Sequence, residues 1–337
     1  MHWRKRVRPF AVALTLPFYM LACSDDAPMA LDPVPTGGPT LAAATEAQLS
    51  DLLDTVNGNL EAAGSNLRVG MVETLTILEG EEQGITVLWN DVGNKQLGFD
   101  FVPGDPRRLL GSPEGGWSAD PNSITYAIDE GDGATANGLT AAETSPEIRD
   151  AMQTWDDVSC SNLNITEVPA PFDLGFVAAS IGAGGSFDIA ADIQHAGWLE
   201  VEFGATTIAA TFTIIWIDDD GNLTDLDGNG VPDAAMREIY YDAFCQGCPV
   251  PGIWIWTVDD DVNGPGLDID IESVALHEAG HGLSQGHFGM GFITNTDGKL
   301  HLAPEAVMQA AYVDPQRDLK GSDDGGHCSN WGSWPTS

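Results

Sequence analysis

Basic side chains are scarce in this sequence, with 13 Lys and Arg against 51 Asp and Glu in 337 residues and a formal charge of −38. Four of the basic residues, Arg4, Lys5, Arg6 and Arg8, fall within the first eight positions, which leaves nine for the rest of the chain. A surface of that sign repels nucleic acid and anionic lipid and argues against both as partners. It suits a protein that binds cations, or one whose self-repulsion is screened by salt. The sequence carries no internal repeat of fixed period, no Gly-rich phosphate loop and no Ser-centred nucleophile elbow. Cysteine and histidine are few, at five and seven. What remains is a globular composition, 43% hydrophobic with 10 Trp and 12 Phe.

The N-terminus reads as a targeting signal. The basic stretch Met1 to Arg8 precedes an apolar run from Pro9 to Ala22 that ends at Cys23. That run is short and interrupted by Pro17, which fits a secretory segment better than a membrane span. Leu21-Ala22-Cys23 resembles the end of a bacterial lipobox, with Met20 where that pattern prefers Leu. Lipidation at Cys23 and ordinary signal cleavage both stay open. Residues 24–44 read as a flexible tether, and either route takes the protein out of the cytoplasm, secreted or anchored at the cell surface through a lipid. Outside the cytoplasm the four other cysteines, Cys160, Cys245, Cys248 and Cys328, are expected to form two disulfides in one of three pairings. The Cys245-Gln-Gly-Cys248 spacing also occurs in redox pairs and half zinc sites, but no second such pair accompanies it.

Residues 45–63 predict an amphipathic helix, with a Thr45/Gln48 capping pattern and Leu49, Leu52, Leu53, Val56 and Leu60 at helical spacing. Extended stretches follow at 68–78 and 84–102, and residues 45–110 group into a small N-terminal module, accessory domain or propeptide. Beyond it, Ile124–Ile128 alternates as a strand, and Ser145-Pro146 predicts the start of a helix through Trp155. Further strands are expected at Phe187–Gln194, Leu199–Phe203, Ile208–Ile217, Glu238–Phe244 and Ile253–Val258, and a second helix from about Asp270. Strands mixed with two main helices give an α+β domain over residues 111–337, built on one twisted mixed sheet.

The chemistry concentrates in His277-Glu278-Ala279-Gly280-His281-Gly282-Leu283-Ser284-Gln285-Gly286-His287. Residues four apart share a helix face, so His277 and His281 can aim their imidazoles at one ion. Three neutral imidazoles suit zinc, with a fourth position left for water. Glu278 sits where a carboxylate can take a proton from that water. An unbroken helix would swing His287 roughly 240° away from His281. The chain must therefore break near Leu283, through a left-handed residue for which glycine is best suited.

These residues resemble the metzincins, and among them the matrixin-like zinc proteases, whose motif runs HExxHxxGxxH with a later methionine turn. Ala306-Val307-Met308, with Tyr312 four residues on, is similar to that turn, and Asp268–Leu276 is similar to the approach to the active-site helix. Leu319 with Asp323-Asp324 resembles the entry to the last helix. The resemblance covers about residues 117–337 and implies a zincin-like fold with zinc on His277, His281 and His287. It also implies Glu278 as general base and Met308 as the hydrophobic floor. This sequence departs from the family in Ser284, where matrixins have Gly, and in Phe288, where they usually carry Ser. The span from His287 to Met308 is also longer. No cysteine occurs in 24–110, which excludes a cysteine switch.

The expected activity is zinc-dependent hydrolysis of protein or peptide substrates by Glu-assisted attack of zinc-bound water. The peptide is expected to add as a strand to a sheet edge. The alternatives are a non-catalytic cell-surface binding module on the same fold and a zinc hydrolase of non-peptide bonds. A calcium loop is expected at Asp225, Asp227, Asn229, the Val231 carbonyl and Asp233, with Gly230 at the sixth position. Met236 stands at the twelfth, and Glu238 is the nearest substitute there. His195, His301 and His327 lack partners at ligand spacing and are expected in ordinary core or surface roles.

Overall fold

The computed structural model describes residues 41–77, 83–89, 98–108, 122–199, 206–243, 255–259, 268–293 and 300–335. The signal segment with Cys23, residues 24–40 of the tether, and Cys245 with Cys248 lie outside the described residues. The chain runs α1 (Leu41–Ala62), β1 (Leu67–Ile77), β2 (Thr86–Leu88), β3 (Ile124–Ile128), α2 (Ala141–Asp156), β4 (Ile165–Glu167) and α3 (Phe176–Ile181). It continues through β5 (Ile193–Leu199), β6 (Thr207–Trp216), β7 (Ala234–Asp242), β8 (Ile255–Thr257), β9 (Asp268–Asp270) and α4 (Ile271–Gly282). The last elements are β10 (Met290–Ile293), β11 (Leu300–Ala303), β12 (Ala311–Tyr312) and α5 (Gly321–Trp331). No helix among the described residues is long and apolar enough to cross a membrane.

One mixed sheet organises these elements in the order β12-β1-β6-β7-β5-β3-β4, with β2 added on β1. β3, β4, β5 and β7 are mutually parallel neighbours, while β6 runs antiparallel to β7 and β1 antiparallel to β6. Every residue of β6 and β7 is buried, because helices cover both faces of the sheet. On one face α2 and α4 pack over Ala209, Ile215 and Ile239; on the other α1 and α3 pack over Ala210, Phe212 and Ile214. That double burial explains why the central strands read as nearly continuous apolar runs. The α+β expectation holds at this level.

Residues 45–110 do not form a separate module. β1 is an interior strand of the main sheet, paired with β6 from Leu67 opposite Trp216 to Thr76 opposite Thr207. The predicted helix is α1, which already includes residues 41–44 of the expected tether and ends at Gly64 in the left-handed region. Its Leu49, Leu53, Val56 and Leu60 are buried against Val69 and Val72 of β1 and Phe212 and Ile214 of β6. Asn57 fixes the junction: its Nδ2 donates to the Val69 carbonyl at 2.9 Å and its Oδ1 accepts the Val69 amide at 2.7 Å. No linker signal separates this unit because its apolar surface belongs to the common core. The sheet edge expected for an added peptide strand is consequently not at β6, which has a partner on each side.

Two other boundaries moved for physical reasons. α2 starts at Ala141 rather than beside Pro146, since Glu143 reaches back to the Thr140 amide at 2.8 Å and caps the helix earlier. Pro146 lies inside the helix and cannot donate to the Ala142 carbonyl. The expected strand at 187–194 forms only from Ile193, because side chains take the preceding amides. Gln194 accepts from Ala190 at 2.7 Å, and Thr125 accepts from Asp192 at 3.1 Å. Asp192 is in turn held by both ends of the buried Arg108 guanidinium, at 2.6 and 2.7 Å. Asn57→Ala leaves both Val69 groups unsatisfied in the core and should destabilise the whole protein by about 2–3 kcal/mol in denaturant titration. An independent N-terminal module would instead unfold in a separate early transition.

Candidate metal centre

Asp270 caps α4, accepting the Ser273 amide at 3.0 Å, and Arg317 holds the same carboxylate at 2.5 Å. This fixes the helix that carries His277, Glu278 and His281, all fully or almost fully buried. His277 Nδ1 lies 2.7 Å from the Val307 carbonyl, and His281 Nδ1 lies 2.7 Å from the Gln285 carbonyl. A carbonyl only accepts, so each Nδ1 carries the proton and each Nε2 is a bare lone pair. His281 Nε2 lies 3.1 Å from that of His277 and 3.2 Å from that of His287. The bare lone pairs of His277 and His281 this close repel unless a cation sits between them. Four-coordinate zinc with bonds of 2.0–2.1 Å spaces its ligand atoms about 3.3–3.4 Å apart, so the cluster fits that ion.

Burial, reinforced by the neighbouring imidazoles, holds His277 and His287 well below the usual histidine range, and burial brings His281 down to about 4. The neutral, ligating form is therefore the one the fold stabilises. Glu278 Oε2 accepts from Thr211 on β6 at 2.5 Å, while Oε1 is buried with no protein partner. A buried carboxylate oxygen left without a partner marks where a small polar ligand belongs. Burial also pushes the Glu278 carboxyl well above the usual range, against the Thr211 hydrogen bond.

The break that brings His287 back occurs at Ser284, with φ +64°, the single non-glycine residue at positive φ among those described. The strain is tolerated because the exposed carbonyls at the end of α4 are all taken. Arg237 donates to Gly282 at 3.1 Å, Trp331 to Leu283 at 2.8 Å and Asn330 to Ser284 at 2.9 Å. Beneath the helix, a Cβ on Gly280 would stand 2.1 Å from Met308 Sδ and 3.0 Å from Trp155, so this position must be glycine. The turn bearing Met308 is set by Asp323, whose buried carboxylate accepts the Val307, Met308 and Lys320 amides. Helix α5, which supplies Asp323, is tied down by the Cys160–Cys328 disulfide. His327 stacks on Trp155 at 5.5 Å and His195 meets Tyr241 at 2.9 Å, both buried in core roles.

One residue escaped sequence reasoning. Glu73, in the middle of β1, is buried with Oε2 3.1 Å from His281 Nδ1. Desolvation raises its carboxyl to about 7, against the pull of His287 and Arg237. Its signal was a lone acid in the apolar run Leu67–Ile77, masked by assigning that run to another module.

Of the expected calcium ligands, Asp225, Asp227 and Asp233 are not among the described acidic groups that cluster tightly enough for one ion. Asp233 is turned inward to Arg107 at 2.6 Å and accepts from Thr224 and Leu226. Glu238 is spent on the Phe176 and Val177 amides that open α3. Asp225 and Asp227 close turns onto Gly230 and Asn229. The described clusters tight enough for an ion are the three histidines and Asp129, Asp132 and Asp173. In the second, both Asp129 oxygens already accept backbone amides, from Gly131 and Leu174.

No protein-family profile matches the chain, and no curated protein sequence matches it. Two substitutions test the helix and its break in opposite directions. Gly280→Ala should lower stability by about 1–3 kcal/mol through overpacking against Met308. Ser284→Gly should raise stability by about 1 kcal/mol, since glycine adopts positive φ without strain. Thermal unfolding of both variants reads the two signs.

Proposed function

We propose that the chain is a zinc-dependent endopeptidase of metzincin type. The observation that carries this reading is the convergence of three histidine Nε2 atoms, those of His277 and His281 bare, next in sequence to a buried glutamate with an unpartnered oxygen. His277, His281 and His287 would hold zinc, and Met308 would floor the site as in a methionine turn. Bound zinc supplies Lewis acidity, polarising a peptide carbonyl and acidifying water.

The chain's own groups supply the rest. Thr211 fixes one oxygen of Glu278 and leaves Oε1 free to take a proton from the attacking water. The same oxygen then passes that proton to the leaving amine. The carbonyls of Val307 and Gln285 keep both helix imidazoles in the ligating tautomer, and such outer partners fix ring orientation. A signal segment ending at Cys23 would place the protein outside the cytoplasm, where a Cys160–Cys328 disulfide persists.

Metal analysis of protein purified under zinc-replete conditions should find one zinc per chain. Chelation should lower the melting temperature, because the facing lone pairs are then left uncompensated. A mixed peptide library should be cut in a chelator-sensitive manner. Glu278→Ala should retain the zinc and lose at least about 100-fold of the rate, the range expected for a general base. A wild-type protein that stays metal-free would end the reading.

A further inference from the structure

We infer that the second half of β1, Glu73–Ile77, occupies the groove in which a peptide substrate of this site would lie, and so keeps the site closed. The inference rests on the peptidase reading and adds its substrate class and its regulation.

An incoming peptide would add as a strand, with main-chain hydrogen bonds for affinity and pockets for alternate side chains. β1 already meets those conditions. It runs antiparallel along β6, and Glu73 lies directly opposite Thr211, the residue that holds Glu278. Its last residues also pair in parallel with β12, Thr76 opposite Ala311 and Ile77 opposite Tyr312, just beyond the Met308 turn. The strand is thus clasped between the two chain segments that flank the histidines.

Side chains on one face of β1 meet the site in alternation. Glu73 reaches His281, and Leu75, two residues on, shares a pocket with His277, Ser273, Val307 and Tyr312. Glu73 meets His281 at its outer nitrogen, Nδ1, and so holds the strand against the back of that imidazole. Beside β1, His277, His281 and Glu278 are at most 2% exposed, while His287 is half-buried and lines a pocket with Gly286 and Phe288. The groove therefore selects an extended peptide with an aliphatic side chain in the pocket that Leu75 fills.

The release can be local. Asn57 anchors β1 at Val69, and the ladder slips between Val69 and Met71 and again between Leu75 and Thr76. One irregularity thus precedes the segment over the site and the other falls within it, both downstream of the part that Asn57 anchors. A closed form in equilibrium with an open one responds to any contact made only in the closed form.

The test uses the intact, zinc-loaded chain and quenched fluorescent peptides with Leu or Asp at the position equivalent to Leu75. Leu75→Ala should melt at a lower temperature than wild type and yet hydrolyse the Leu peptide at least about tenfold faster, a shift of about 1.4 kcal/mol in the closed-to-open balance. Glu73→Gln, which keeps the side-chain shape, should give the same direction of change if Leu75→Ala fails to fold. Either gain should vanish when Glu278→Ala is added, and the Asp peptide should be cut at least about tenfold more slowly than the Leu peptide. Folded, zinc-bound variants no faster than an active wild type would overturn the inference and leave the peptidase reading standing. Zinc-bound wild type and variants that cut no peptide at all would remove the peptidase reading, and this inference with it.

Discussion

Three imidazole nitrogens converging on one point, two of them bare lone pairs in the buried interior, form an arrangement that a folded chain does not adopt for its own sake. The helix pair has to be desolvated and stripped of any donor, and His287 has to be brought within about a hydrogen-bond length of His281. Much of the surrounding structure can be understood as the means of enforcing that. Val307 and Gln285 take the outer nitrogens of His277 and His281, which leaves the inner ones bare. Arg237, Trp331 and Asn330 cap the end of α4, which permits a serine to hold a left-handed turn. Without that turn His287 would lie on the far side of the helix.

The support comes from distant parts of the chain, which makes the site a property of the whole core. Asp323 reaches from α5 to set the turn at Val307 and Met308, and that turn both binds His277 and fills the space that Gly280 leaves open. The disulfide from Cys160 to Cys328 fastens α5 to the loop after α2. From the other side, β6 and β1 bring Thr211 and Glu73 against Glu278 and His281. Two carboxylates, three imidazoles and the Arg237 guanidinium thus share one buried region, and each shifts the protonation of its neighbours. A cation at the histidines would balance the acids that crowd it.

The sequence was most legible where chemistry depends on local spacing. The i, i+4 placement of His277 and His281, the cap at Asp270 and the need for a break before His287 all follow from helix geometry over a dozen residues. The Ser284 turn was likewise foreseeable as a departure, since no glycine stands at that position. The fold class came from strand-like apolar runs mixed with two helical patterns, and the two helical layers explain why the central runs are buried throughout. Reading failed where partners are far apart in the chain. Asp233 sits in a run patterned like a calcium loop, yet Arg107, 126 residues earlier, claims its carboxylate. The strand expected from Phe187 starts only at Ile193, because Thr125 and Gln194 satisfy the preceding amides through side chains.

By itself the sequence determined the three histidines that converge at the candidate site, the glutamate next to the first of them and the two helices that frame the domain. Each is a matter of residue type at short separation, where backbone geometry alone fixes direction. Only the tertiary structure decided that α1, β1 and β2 belong to the same core, that Glu73 stands against His281, and that β1 rather than solvent lines β6. Strand pairing joins segments more than a hundred residues apart through backbone groups that are identical in every residue. Nothing in a one-dimensional pattern distinguishes the strand that covers a site from one that lies elsewhere.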